Sequence, residues 1–110
     1  MQEQEGVIKY QLHHQQRAIA GELDLSHLIA WRKLLYQLQL IGQDVNRYGG
    51  LGYGNVSSRL PANSQQFVIT GSQTGRLACL TGADFTVITS ASAERNQISS
   101  WGRGKIGSHG

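Results

Sequence analysis

The segment YGGLGYGNVSSRL, residues 48–60, sets Gly49, Gly50, Gly52 and Gly54 close together and then runs straight into Asn55-Val56-Ser57. An apolar-periodic stretch precedes it and β-like stretches follow it, so the local order is helix, glycines, strand. A dinucleotide fingerprint needs the reverse order, because the N-terminus of the following helix holds the pyrophosphate. Its G-x-G-x-x-G spacing is also missing, since the glycines here read Gly50-x-Gly52-x-Gly54. A P-loop needs G-x-x-x-x-G-K-[ST], and neither Gly71-Ser72-Gln73-Thr74-Gly75-Arg76 nor Gly102-Arg103-Gly104-Lys105-Ile106 supplies it. Two readings remain open on the residues alone. The glycines form ordinary chain reversals, or their unshielded N–H groups form a nest for an anion, with the Asn55 amide as a further donor. A second turn, Ser72 to Gly75, adds two hydroxyls.

Upstream, Leu28, Trp31, Leu35, Leu38 and Val45 recur at spacings of three, four and seven, with Leu34, Ile41 and Tyr48 in a second row. This predicts one helix from Ser26 to Tyr48 with a broad apolar face packed on a sheet. Ser26 is the expected N-cap, Asp24 and Arg47 suit the two ends of the helix dipole, and Gly49 or Gly50 suits the left-handed C-terminal cap.

Downstream, strands are expected over Asn55 to Leu60, Gln66 to Thr70, Asp84 to Ser90 and Ile98 to Trp101. Pro61 to Ser64 reads as a turn, and Leu77 to Asp84 as holding a short helical turn. Val7 to Tyr10 reads as strand or simply extended. If the strands flanking the two turns are neighbours, both turns lie at one end of the sheet, and the helix face packs on the strands containing Val68, Ile69, Val87 and Ile88.

A chain of 110 residues is about one small domain. The net charge of +3 is local: Arg95, Arg103 and Lys105 follow the last acid, Glu94. Only Trp101 lies among these cations, so the aromatic interleaving of a single-strand binder is missing and nucleic acid is not the expected partner. Cys79 is the only cysteine. With the polar, acidic start Met1 to Glu5 it suggests a reducing, cytoplasmic setting, and no apolar run reaches the ~20 residues of a membrane span.

Gly54-Asn55-Val56-Ser57, Ile69-Thr70, Thr74-Gly75 and Leu80-Thr81 together resemble the N-terminal domain of the class II aldolase/adducin family, over roughly residues 26–109. The resemblance implies an α/β fold, a partial three-layer α/β/α sandwich around a mainly antiparallel sheet. Residues 1–25 would form an N-terminal extension, and 26–110 the N-terminal part of a domain whose C-terminal half is missing. Relatives that are aldolases bind the phosphate of a sugar phosphate at these turns. The roles carry over to Gly54, Asn55, Thr74 and Gly75, with Ser72 as an alternative to Thr74 because this turn is one residue longer. Ser108 matches a substrate-binding serine.

The family continues with Pro-Ser-Ser-Glu and His-x-His. Its Glu is the general acid/base, and three His hold a divalent metal, usually Zn²⁺, that stabilises the enediolate. Here the corresponding stretch is Ile106-Gly107-Ser108-His109, and no His-x-His occurs. The expectation is a chain that retains no cofactor and no aldolase activity. It is expected to be a non-catalytic fragment of an aldolase-like protein or, alternatively, a small module that binds a sugar phosphate or other small anion or oligomerises, and an unpaired sheet edge favours a homo-oligomer.

Overall fold

The computed structural model describes residues 11–19 and 22–106. Strand β1 (Gln11–Gln16) is followed by helix α1 (Ser26–Gln37) and then by two very short strands, β2 (Gly42–Gln43) and β3 (Gly52–Tyr53). Next come β4 (Ser57–Leu60), β5 (Asn63–Thr70), β6 (Phe85–Ser92) and β7 (Gln97–Gly102). The main sheet has the order β1-β7-β6-β5-β4, and β2 pairs with β3 in a separate ribbon. Within the main sheet β1 is parallel to β7 and the other neighbours are antiparallel. The protein is a mixed α/β domain with a mostly antiparallel sheet and few helices.

Strands β5 to β7 carry branched and aromatic residues between turn signals, and β4 is short and polar. The Pro61-Ala62 turn joins β4 to β5, and Ala93 to Asn96 joins β6 to β7, with Asn96 in the left-handed region at φ 56°. The expected helical turn is Gly82–Asp84. Thr81 and Asp84 close it as a reciprocal capping box: the Thr81 hydroxyl accepts from Ala83 N, and the Asp84 carboxylate accepts from Thr81 N.

The segment read as an extension contributes β1 to the sheet edge and Ile19 to the core. Its sequence, Gln-Leu-His-His-Gln-Gln, carries little apolar alternation, and backbone pairing with β7 makes it a strand. Val7 to Tyr10 lies outside the described residues.

Helix α1 ends well before Tyr48. Gln39 takes φ 64°, Leu40 N donates to Leu35 O and Gln39 N to Tyr36 O, which is a Schellman closure with glutamine where glycine is usual. The chain then pairs Gly42 with Tyr53 and Gln43 with Gly52. At its start, Leu25 occupies the N-cap rather than Ser26, and the Asp24 carboxylate accepts from the Ser26 N–H and hydroxyl. Those two bonds hold the Asp24 carboxyl below the usual carboxylate range.

The helix also faces the core with a different stripe. Leu25 belongs to the buried cluster, Leu28 and Ile29 pack on it, and Arg32 is buried. Of the expected face, Leu28 packs inward, but Trp31, Leu38 and Val45 are 60%, 58% and 86% exposed. Apolar residues of α1 extend beyond the expected rows to Ile29 and Tyr36, so periodicity alone does not choose the stripe. Arg32 chooses it, as described below.

The two faces of the sheet differ. Val68, Phe85 and Val87 point into the cluster with Ile19, Leu25 and Leu80. Ile69 and Ile88, on the same strands, point away from it, since adjacent strand residues face opposite sides. The molecule measures 42 × 40 × 21 Å. With a helix about 10–12 Å across, the short dimension holds the sheet and one helical layer. Of the expected partial three-layer sandwich, the described residues form the mostly antiparallel sheet and one helical layer.

Candidate functional site

The two turns singled out in the sequence meet at one end of the open face. Strand β4 begins just after Asn55, and its antiparallel neighbour β5 ends at Thr70, just before Gly71. The Thr70 hydroxyl ties them together. It donates to Asn55 Oδ1 at 2.7 Å and accepts from Val56 N at 3.3 Å. With Oδ1 held, the Asn55 amide has fixed orientation, and Nδ2 donates to no described residue.

The second turn is anchored from two sides. Ser72 N donates to Lys105 O at 2.7 Å, and Gly104 N donates to Phe85 O at 2.9 Å. These bonds lay the segment carrying Lys105 beside the turn. Gly71 permits that approach, because a Cβ there would sit 2.9 Å from Lys105 N. From the helix side, Arg32 Nη2 donates to Thr74 O at 2.7 Å and Nη1 to Leu77 O. Arg32 is 1% exposed, and burial lowers its guanidinium from the ordinary arginine value. The planar fork of arginine suits two carbonyls at once. It turns a charged residue inward and makes it the strut between α1 and the turn.

The glycines act first through packing. Gly54 has φ 90°, and a Cβ there would lie 2.7 Å from Ile41 Cγ1. At Gly75 a Cβ would lie 2.7 Å from Tyr53 N and 2.8 Å from Gly42 O. Both glycines let the β2–β3 ribbon press against the turns. Thr74 is likewise internal, since its hydroxyl donates to Gly71 O at 3.0 Å. Of the two hydroxyl candidates, Thr74 shapes the turn and Ser72 is the less buried.

Gly54, Asn55, Ser72, Thr74 and Gly75 all line one cleft of about 350 Å³. Ser108 lies outside the described residues. Sequence reasoning did not place Lys105 on this cleft, where it is the charged lining residue, and it missed Arg32 behind it. Lys105 was visible only as part of a basic tail. Its position depends on backbone pairing with a turn more than thirty residues away. Among the described residues no three His, Cys, Asp or Glu side chains come together to hold a metal ion. His13 and His14 lie on β1 and His27 on α1, with His14 Nδ1 2.7 Å from Ser100 Oγ. The family's three-His metal thus has no counterpart in the described residues, and no step below runs through one.

Among the described residues no helix is long and apolar enough to cross a membrane. Compared with known proteins, the chain matches no family model, no curated protein and no solved structure.

Proposed function

We propose that the chain binds a small anion, with a sugar phosphate as the first ligand to test, at the cleft between the Gly54-Asn55 turn and the Ser72–Gly75 turn. The observation that carries this reading is the meeting of an oriented Asn55 amide, the Ser72 turn and the Lys105 ammonium on one cleft, with no acidic residue among the described residues of its lining. Charge-assisted bonds from such donors to phosphate oxygens are the strong kind. The resemblance of Gly54-Asn55-Val56-Ser57 and Thr74-Gly75 to the class II aldolase/adducin signature supports a phosphorylated sugar, and a fold akin to that family belongs to the same proposal. Where the family has Pro-Ser-Ser-Glu this chain reads Ile106-Gly107-Ser108-His109, and the proposed role is binding at the two turns. The single Cys79 fits a cytoplasmic setting for it.

Calorimetric titration with inorganic phosphate and triose and pentose phosphates tests this, with N55A and K105A as variants. Each variant is expected to weaken binding roughly tenfold, the loss of one charge-assisted bond. Unchanged affinity in both variants would remove the site from these turns.

A specific observation favours a second role, self-association. Trp31, Leu34, Leu38 and Leu40 are 60%, 42%, 58% and 61% exposed on and just beyond one helix. Sheet edges, expected as the contact, fit less well: β4 is short and polar, and β1 carries Gln and His along its length. Sedimentation of the wild type and W31S distinguishes the two surfaces.

A further inference from the structure

The cleft does not stop at the turns. It continues along the open face of the sheet over Phe67, Ile69, Ile88, Ala91 and Ile98, with Ile106 at its side. From Phe85, opposite Thr70, to Ala91, opposite Ile98, β6 advances six residues, roughly 20 Å at strand rise. No side chain on that floor donates or accepts a hydrogen bond. A sugar body over it would leave its hydroxyls without protein partners, at a cost for each one taken from water.

The floor is also kept apolar by a local irregularity. Between Ile88 and Ser90 the β6–β7 register shifts, so Ser90 pairs with Ser99 and Ala91 with Ile98. Regular alternation would have put Ser90 on the open face beside Ile88. The bulge turns Ser90 away and continues the apolar strip with Ala91. Bulges of this kind re-aim side chains at functional surfaces.

We infer that the ligand of this cleft is an amphiphilic anion, a phosphate or carboxylate head on an elongated apolar body. The head meets Lys105 and Asn55, and the body lies along the strip from Ile69 to Ile98. Charge complementarity fixes the orientation, because Lys105 at the turn end is the charged residue among the described residues of the lining. This inference rests on the anion-binding reading and replaces the sugar body of that reading with an apolar one.

The test compares three probes on the full chain by nuclear magnetic resonance: inorganic phosphate, monomeric octyl phosphate and octanol. Octyl phosphate is expected to bind at least roughly tenfold more tightly than inorganic phosphate, the gain from about two buried methylenes. It should shift Asn55 and Gln73 together with Ile88 and Ile98. I98D should abolish the advantage and leave inorganic phosphate binding intact, with spectral dispersion reporting that the variant is folded. K105A, at an exposed position, should weaken both phosphates and leave octanol unchanged. Equal binding of the two phosphates at Asn55 overturns the amphiphile and leaves the anion site standing. No binding of either phosphate overturns both. Octanol binding as tightly as octyl phosphate overturns the anionic head. A dimer that I98D converts to monomers, with no probe bound, assigns the strip to a second copy of the chain and overturns the inference.

Discussion

The two faces of the main sheet are built from neighbouring residues of the same strands, and they have different fates. On one face Val68, Phe85 and Val87 are 4%, 0% and 0% exposed beneath Ile19, Leu25 and Leu80. On the other, Phe67, Ile69 and Ile98 stay half-buried, though they are as apolar. Strands apolar on both sides are the pattern of a sheet covered on both faces. Here the described residues cover one face fully and the other only in part, where Thr86, Ile88 and Ser100 are buried. The composition of a strand thus indicates how much of its surface favours burial and leaves open what buries it. On the closed face the partner is the chain itself, and on the open face we assign it to a ligand.

Equal truncations on the two faces should therefore have unequal effects. F85A is expected to cost about 3–5 kcal/mol in denaturant unfolding, as a transfer loss plus a cavity that cannot collapse. I98A should cost about 1 kcal/mol, because its site is open to water and leaves no cavity. Similar costs would mean that the open face is closed in solution.

Intermediate effects belong to the elements that join the closed face to the turns. G75A is expected to cost about 1–3 kcal/mol, the range for forcing extra volume into a packed region, and to weaken phosphate binding. The colliding atoms are backbone, Tyr53 N and Gly42 O, so they have little freedom to yield. R32M keeps the length and apolar stem but leaves two carbonyls without their donor. It should cost about 1–3 kcal/mol and loosen the Thr74 turn, read as faster amide exchange at Gly75 to Leu77. R32K should recover only part of this, since an ammonium cannot reproduce the fork.

The smallest effect has the opposite sign. Q39G should stabilise the chain by about 0.5–1 kcal/mol, because a left-handed backbone strains an L-residue while glycine loses more freedom on folding. A destabilised variant would show that the Gln39 side chain supports the helix end.

Much of this architecture can be read locally. Strands β5 to β7 announce themselves through branched and aromatic residues between Pro61, Gly71 and the turn at Asn96, and the capping box at Thr81 is visible as Thr-x-x-Asp. The position of the two turns at one sheet end follows from antiparallel neighbours. Three features could not be read that way. The helix end is set by a Schellman closure on a glutamine, a residue with no cap signature. The inward stripe of α1 is set by Arg32, whose partners are main-chain carbonyls of a distant loop. The polar segment Gln11–Gln16 becomes a strand only by pairing with β7. In each case long-range backbone geometry decides, and side-chain periodicity carries no record of it. The site divides the same way. Asn55 and the Ser72–Gly75 turn were legible from composition and resemblance, whereas Lys105 and the apolar strip required the fold.

The most direct test of the account is a titration of the isotope-labelled chain with inorganic phosphate, followed residue by residue by nuclear magnetic resonance. The account predicts saturable shifts confined to Asn55, the Ser72–Gly75 turn and Lys105, reduced in K105A. Shifts centred instead on Arg95 or Arg103, or no saturable shift at the two turns, would contradict it.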